Sequence, residues 1–241
     1  MPNEATPRLT IRALQVRAVH VPMRLPLKTS GGAVGVAPLA LIDLLTEEGV
    51  TGSTYLFCYT PLALKPVVQM LENLAPQLCG QAVAPVALGQ ALQRQFRLLG
   101  TKGVVGMALA GIDMAAWDAL AAARGVPLVV LLGGSVGRLP AYNSNGLGLI
   151  GSTEAPAQAQ QLAAPGFGAI KVRLGYADAR ADLEVVRAVR QAVGDEVELM
   201  ADYNQGLSVA EALRRTEVLA GEGLAWIEEP TSADDFDGHA R

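Results

Sequence analysis

Charged and polar side chains end three successive segments that have the apolar character of buried strands. Lys171 and Arg173 are two residues apart, and so are Asp202 and Asn204, so each pair shares one face of its strand. Glu228 ends the third segment. Because the carboxyl ends of neighbouring parallel strands meet at one edge of a sheet, where α/β proteins build their sites, we expect these side chains to lie together.

Two carboxylates at buried strand ends need a positive partner, because an unpaired buried carboxylate is costly or becomes neutral. Salt bridges to Lys171 and Arg173 would make a purely structural charge cluster, whereas a bound divalent cation would make a reactive site. Oxygen ligands without neighbouring Cys or His suit Mg²⁺ rather than Zn²⁺. We predict that Asp202 and Glu228 bind Mg²⁺, with the structural cluster as the alternative.

A magnesium ion beside Lys171 would favour one class of reaction. A metal that binds a substrate carboxylate stabilises the negative charge that develops when the adjacent C–H bond loses its proton. A lysine held near other cations has a lowered pKa and can act as a base. The expected chemistry is therefore abstraction of the proton α to a carboxylate, through an enediolate.

The segments that carry these residues alternate with helical patterns along the second part of the chain. Predicted strands cover residues 141–147, 169–174, 198–203 and 224–229, and predicted helices cover 153–164 and 178–193. A further helix begins at Ser208, where Glu211 completes a capping box. This alternation indicates an α/β fold with a parallel sheet, either doubly wound or closed into a barrel.

The preceding part of the chain is of the α+β class. Predicted strands at residues 9–21, 39–45 and 50–57 follow one another closely, which favours an antiparallel meander. The segment 22–38 between the first two strands is predicted as a glycine-rich loop, either a lid or a plain surface loop. Three helices follow, and their predicted ranges are a regular helix from Pro66, then 86–99, then 105–124 with Gly125 as its end.

Several motifs jointly resemble those of one enzyme family. They are KVR at 171–173, ADYNQ at 201–205, WIEEP at 226–230 and GIDMAAWD at 111–118. Together these motifs are similar to those of the enolase superfamily, and specifically of its mandelate racemase branch. Further matching segments, near Ala37, Tyr55 and Gly238, extend the resemblance through nearly the whole chain.

This resemblance implies a fold. An N-terminal α+β capping domain over residues 1–135 would precede the first half of a modified TIM barrel over residues 136–241, with about four βα units. The resemblance also implies that the glycine-rich loop near residues 31–35 closes over the substrate and sets specificity.

The resemblance implies roles for individual side chains as well. Asp202 and Glu228 would be Mg²⁺ ligands, and Asn204 would lie beside the substrate or the metal. Lys171 would help to hold the carboxylate of a small-molecule substrate, over which Tyr55 would close together with the loop. The implied activity is that of a mandelate racemase-like enzyme acting on a 2-hydroxy acid.

Arg173 departs from the racemase pattern, in which a lysine at this position is one of two bases. A guanidinium keeps its proton, since its pKa is above about 12, and it cannot act as that base. An arginine can still orient a substrate or stabilise an enolate, as in relatives that dehydrate sugar acids with a single base. A racemase and an acid-sugar dehydratase both stay open, with Arg173 catalytic in either.

The predicted barrel is incomplete. A TIM barrel needs about 250 residues and eight strands, whereas the segment from Ala141 onward accommodates only the four strands above. The family's third metal carboxylate and its His–Asp base pair lie on later strands, and neither His20 nor His239 falls on a predicted barrel strand end. We expect a truncated chain, with a natural half-barrel that pairs with another chain as the alternative. Such a chain by itself could be non-catalytic.

The composition narrows the choice of partners and location. The 241 residues are 51% hydrophobic and 17% charged, less than the usual charged share of about 25%. A net charge of −4 without a basic stripe argues against nucleic-acid binding. No uninterrupted apolar stretch approaches the roughly 20 residues of a membrane span, and no signal peptide is recognisable. We predict a cytoplasmic protein without a membrane partner, and a homo-oligomer because the composition is so apolar.

Overall fold

The computed structural model describes residues 8–241, which form two compact units. The first unit contains the described residues up to Pro22 and the segment Val36–Arg138. The second contains Met23–Gly35 and Leu139–Arg241. Each unit therefore draws on two separate stretches of sequence. The division into an N-terminal domain of residues 1–135 and a second domain of residues 136–241 stays a proposal.

A three-stranded sheet forms one layer of the first unit, although the segment Met23–Gly35 of its first two strands belongs to the second unit. Its strands are β1 (Ile11–Thr29), β2 (Gly32–Thr46) and β3 (Thr51–Phe57), hydrogen-bonded in the order β1-β2-β3. Strands β2 and β3 pair antiparallel, from Leu39 opposite Phe57 to Leu45 opposite Thr51. Alternate residues of β2 are fully buried on one face: Ala40, Ile42 and Leu44. The predicted meander is thus present.

The prediction of a long loop between the first two strands is wrong. In the structure β1 continues to Thr29 and β2 begins at Gly32, so a tight turn joins the two strands. The Gly31 amide donates to Thr29 Oγ1 at 3.2 Å, and Gly32 has a φ of 124° that favours glycine. Proline is tolerated along β1, at Pro22 and Pro26, because β1 is an edge strand of the sheet.

Four helices follow the sheet in the first unit. They are α1 (Pro61–Leu78), α2 (Pro85–Gln95), α3 (Gly103–Arg124) and α4 (Leu128–Leu131). The sequence predicted that helix α1 begins at Pro66, but in the structure it begins at Pro61. Thr60 caps the helix by accepting a hydrogen bond from the Leu62 amide, and Pro66 removes only one backbone hydrogen bond inside it.

Helix α3 forms the centre of the first unit. It packs against β3 and α1, and a Cβ on Gly52 would lie 2.0 Å from the Ala115 carbonyl oxygen, so strand and helix backbones are in direct contact. With 22 residues and a mean hydropathy of 1.5, α3 is long and apolar enough to cross a membrane by these two criteria. Its packing instead makes it a core helix, which Gly125 ends in the left-handed conformation as predicted.

The second unit contains a parallel sheet flanked by helices. Its strands are β4 (Ala169–Arg173), β5 (Glu198–Asp202) and β6 (Leu224–Glu228), in the order β4-β5-β6. Its helices are α5 (Gly151–Ala163), α6 (Ala179–Val193), α7 (Val209–Leu219) and α8 (Phe236–His239). The predicted alternation of strands and helices is confirmed from β4 onward, and Ser208 caps α7 as expected.

The strand predicted at residues 141–147 does not form. Only a single parallel bridge joins Asn143 to Ile170 of β4. The Asn143 side chain accepts a hydrogen bond from the Asn145 amide at 3.1 Å, and Gly146 has a φ of 56°. This local turn chemistry interrupts regular pairing between Asn143 and Leu147, whose carbonyl accepts a hydrogen bond from the Arg173 amide at 2.8 Å, so the segment follows β4 without forming a strand.

Candidate active site

The carboxyl ends of β4, β5 and β6 bring three charged side chains together. Lys171 Nζ lies 3.1 Å from Asp202 Oδ2 and 2.8 Å from Glu228 Oε2. Lys171 and Asp202 are buried, and Glu228 is half-buried. Both carboxylates therefore face the same point in space, as the strand register predicted, because Asp202 is paired with Glu228 across the parallel sheet.

The backbone after β5 holds these carboxylates in place. The Asn204 amide donates to Asp202 Oδ1 at 2.8 Å, and the Tyr203 amide donates to the Glu228 carbonyl at 3.0 Å. Asn204 and Gln205 have φ values of 48° and 62°, in the left-handed region that costs a residue other than glycine about 1 kcal/mol or more. Strained backbone of this kind persists where surrounding contacts determine it, and it is common at functional sites.

The surroundings of Lys171 set the direction of its pKa. Burial alone would lower the pKa of its ammonium, but the hydrogen bonds to Glu228 and Asp202 outweigh burial and raise the pKa above its ordinary value. Two carboxylates at hydrogen-bond distance favour the charged form of the lysine. The lowered pKa expected beside a bound magnesium ion stays a prediction.

Arg173 lies on the same strand and is also buried. Its Nη1 atom donates to the carbonyl oxygens of Ser144 and Gly146, whereas Nε is buried and has no hydrogen-bond partner among residues 8–241. Burial lowers the pKa of this guanidinium, and the charge of Asp202 opposes that effect. Arg173 is thus fixed by one end of its guanidinium and retains an unused donor at the other.

The oxygen atoms at the strand ends suit a hard divalent cation. Asp202 and Glu228 contribute carboxylates, and Asn204 Oδ1 is a buried oxygen with no partner in the described part of the chain. All three are oxygen donors of the kind that Mg²⁺ binds. Within residues 8–241 no group of three His, Cys, Asp or Glu side chains is placed to hold a metal.

Two aromatic residues beside the cluster were not anticipated. The rings of Tyr142 and Trp226 are in edge contact with centroids 5.4 Å apart, and Lys171 Nζ lies 5.7 Å from the centre of the Tyr142 ring. Trp226 Nε1 also donates to Glu228 Oε2 at 3.4 Å. The sequence signal that could have placed Trp226 beside the cluster is its spacing from Glu228, because residues two apart on β6 share one face of the strand.

Both parts of the chain match known protein domains. Residues 11–133 match the N-terminal domain of mandelate racemase / muconate lactonizing enzyme, and residues 154–241 match the enolase C-terminal domain. The chain belongs to the mandelate racemase / muconate lactonizing enzyme family. The predicted fold class, an N-terminal α+β capping domain followed by part of a barrel, is confirmed.

Relatives within this family bind magnesium or act on carbohydrate acids. A Bradyrhizobium enolase solved with magnesium and mandelic acid is 43% identical, with a TM-score of 0.90 over 98% of this chain and 65% of that one. The 3,6-anhydro-alpha-L-galactonate cycloisomerase of Streptomyces coelicolor is 30% identical over 92% of this chain and 62% of its own length. The L-talarate/galactarate dehydratase of Salmonella typhimurium is 35% identical over 59% of this chain and 36% of its own length. The chain thus spans less than two thirds of each relative.

The family resemblance predicts that Tyr55 and the glycine-rich segment near residues 31–35 close over the substrate, and these two elements belong to different units. Tyr55 is on β3 of the first unit, opposite Leu41, and its side chain is exposed. The turn between β1 and β2 belongs to the second unit, where Ser30 Oγ donates to the Tyr203 carbonyl at 3.4 Å. Ser30 Oγ lies where a Cβ on Gly206 would be, so glycine at position 206, in the loop after β5, makes room for the Ser30 side chain. Closure of either element over a substrate stays a prediction.

Proposed function

We propose that the whole protein is a Mg²⁺-dependent enzyme that removes the proton α to the carboxylate of a 2-hydroxy acid, as a mandelate racemase-like isomerase. Lys171 Nζ forms salt bridges with Asp202 and Glu228 at 3.1 and 2.8 Å, which the structural alternative also predicts. The observation that carries the proposal of a metal is that both carboxylates meet at the strand ends that also hold the buried, unpartnered Oδ1 of Asn204. The binding of magnesium and mandelic acid by the 43%-identical Bradyrhizobium relative supports it.

Asp202 and Glu228 would hold the metal, and a further ligand would come from outside this chain, as the family resemblance implies. Bound magnesium would stabilise the charge that develops on the substrate carboxylate as the α-proton leaves. The charges of Lys171 and Arg173 balance those of the two carboxylates. A divalent cation would add positive charge to this balanced cluster, and an anionic substrate would offset it.

Within this proposal the remaining polar groups orient the substrate. Lys171 would donate to its carboxylate, and the unpartnered Nε of Arg173 would donate to a second oxygen of the substrate or the enediolate. Asn204 Oδ1 would accept from a hydroxyl or contribute to metal binding. A guanidinium keeps its proton, so the role of base falls to Lys171 or to a residue outside the chain, the histidine that the resemblance implies.

Exchange of the α-proton tests this proposal. Full-length protein with Mg²⁺ is incubated in D₂O with each enantiomer of mandelate and with galactarate, and the α-proton signal is followed by NMR. We expect loss of that signal with at least one 2-hydroxy acid, and no loss after the metal is removed with a chelator. Absence of exchange with every acid, at saturating Mg²⁺, would refute the proposed activity.

An acid-sugar dehydratase is the second candidate, and Arg173 favours it. The buried guanidinium is held by the carbonyl oxygens of Ser144 and Gly146 and cannot serve as the second base of a racemase. One base is sufficient for dehydration, and the 35%-identical Salmonella relative is a dehydratase. Formation of a keto acid from galactarate identifies a dehydratase, whereas inversion of mandelate identifies a racemase.

A third candidate, which lacks catalysis, concerns the 241 residues alone. With two carboxylates and no third His, Cys, Asp or Glu side chain grouped with them among residues 8–241, this portion would by itself bind Mg²⁺ weakly and act as part of a larger assembly. The intact mass of the purified protein separates the candidates, because a mass well above 25.1 kDa shows that further residues complete the barrel. A cytoplasmic location and a homo-oligomeric state stay part of the proposal.

Lys171→Met is expected to strengthen metal binding by about fivefold or more while it weakens substrate binding. The Lys171 ammonium contacts both carboxylates, and a positive charge about 4 Å from a cation costs up to several kcal/mol near a protein surface. Titration with Mn²⁺, followed by the EPR signal of the free ion, measures the dissociation constant. Lys171→Arg, which keeps the charge, is the control and should not tighten binding. Unchanged or weaker Mn²⁺ binding in Lys171→Met would argue against a metal between these carboxylates.

A further inference from the structure

We propose that Tyr203, held by the buried carboxylate of Asp182, is a positioning residue that sets the geometry of the two metal ligands. The proposal rests on the metal site described above. Tyr203 lies between Asp202 and Asn204 at the end of β5, and its side chain is fully buried. Because side chains alternate along a strand, its ring points away from the face that carries Asp202.

Asp182 accepts four hydrogen bonds and is completely buried. Its Oδ1 atom accepts from the amides of Gly175 and Tyr176 at 3.0 and 2.9 Å, in the loop between β4 and α6. Its Oδ2 atom accepts from the Tyr203 hydroxyl at 2.9 Å and from Arg215 Nη1 at 2.7 Å. One carboxylate therefore joins the loop after β4, the end of β5 and helix α7.

Arg215 balances the charge of this carboxylate and extends the network. Its Nη1 atom also donates to the Tyr176 carbonyl at 3.0 Å, and its Nε atom donates to Glu211 Oε1 at 2.7 Å. A buried ion pair of this kind is a weak source of net stability, since both ions must be removed from water. Its geometry is nevertheless well defined, because the bonds have fixed directions and the Asp182 carboxylate, the Tyr203 ring and the Arg215 guanidinium at its centre are buried.

The network reaches both metal ligands through Tyr203. The hydroxyl fixes the side chain at Asp182, and the Tyr203 amide donates to the Glu228 carbonyl at 3.0 Å. Any rotation of the strand end about its axis would move Asp202 on the opposite face and alter the β5–β6 register at Glu228. Outer residues that orient metal ligands in this way change metal affinity by about 10–100-fold when they are altered.

Arg190 offers a matched control at the other end of the same strands. Its guanidinium donates to the carbonyl oxygens of Gly194 and Val197, just before β5, and of Gly223, just before β6. Asp182 and Arg190 both come from α6, and both connect that helix to neighbouring segments. A change at Arg190 should therefore lower stability without altering the carboxyl ends of β5 and β6.

The test compares Mn²⁺ binding, by the EPR signal of the free ion, in wild type, Tyr203→Phe, Arg190→Lys and Asp202→Asn. Tyr203→Phe removes one oxygen and keeps the ring, so we expect a folded protein with a dissociation constant about 10-fold higher. Arg190→Lys should lower the melting temperature and leave the dissociation constant unchanged. Arg215→Lys, a second variant that cannot make all of the present Arg215 contacts to Asp182, Tyr176 and Glu211, should weaken Mn²⁺ binding in the same direction as Tyr203→Phe.

The outcomes separate this inference from the proposed function. If wild type binds no more Mn²⁺ than Asp202→Asn, the metal site itself is refuted, and the positioning role with it. If wild type binds Mn²⁺ and both Tyr203→Phe and Arg215→Lys bind it equally well, the metal site stands and the positioning role is refuted. An equal loss of affinity in Arg190→Lys would show a general effect of stability and would also overturn the inference.

Discussion

Asp202→Asn should abolish metal-dependent turnover, by more than about 10³-fold, while the protein stays folded. The substitution keeps the shape of a buried side chain and removes its charge, which leaves Glu228 as the one carboxylate that residues 8–241 bring to Lys171. A neutral amide is a poor ligand for a hard dication, so we expect Mn²⁺ affinity to fall by at least about 10-fold. NMR of the α-proton in D₂O and EPR titration measure the two effects.

Glu198→Gln is the matched control for this prediction. Glu198 begins the same strand, β5, and its side chain is exposed at the end away from the cluster. The change removes the same unit of charge, so a general electrostatic effect would appear in both variants. Retention of normal Mn²⁺ binding by Asp202→Asn would contradict the proposed metal site, and equal losses in both variants would contradict its location.

Arg173→Lys is expected to create α-proton exchange on a second face of the substrate. A lysine amine can accept a proton where a guanidinium cannot, and a correctly placed general base contributes about 10²–10⁴-fold in rate. The shorter side chain also loses the bridge from Arg173 to the carbonyl oxygens of Ser144 and Gly146, which frees its nitrogen. We expect inversion of 2-hydroxy acid configuration to increase by at least about 10²-fold over wild type, measured by chiral chromatography.

Arg173→Met separates the new base from the loss of arginine. Methionine is similar in length and loses the same two hydrogen bonds, but it has no group that accepts a proton. Exchange on the second face should therefore appear in Arg173→Lys and not in Arg173→Met. If neither variant inverts its substrate, residue 173 does not face the reacting carbon, and the role assigned to Arg173 is wrong.

The elements of the second unit could be predicted from the sequence because local signals agree there. Asp178 and Ser208 cap α6 and α7 with their side chains, and apolar residues repeat with the helical period on one face of α6. The alternation along β4 and β5 similarly placed Lys171 and Asp202 on the same edge of the sheet. These features depend on residues that are close in sequence, so spacing is sufficient to predict them.

The tertiary structure decided the features that depend on partners far along the chain. The hairpin turn at Ser30 belongs to the second unit through residues near Tyr203, and no local pattern encodes that contact. The segment at 141–147 was predicted as a strand, yet the turns after Asn143 allow it only one bridge. Local pattern and long-range packing compete in such segments, and packing prevails.

Residue types and spacing by themselves determined that two carboxylates, a lysine and an arginine would meet at the carboxyl ends of parallel strands. Folding alone decided how their charges interact. Burial lowers the pKa of Lys171, but two carboxylates at hydrogen-bond distance outweigh burial and raise the pKa. Folding also joined Asp182 to Tyr203 behind the site. Electrostatic and hydrogen-bond energies depend on distances of a few ångströms, which sequence spacing does not specify.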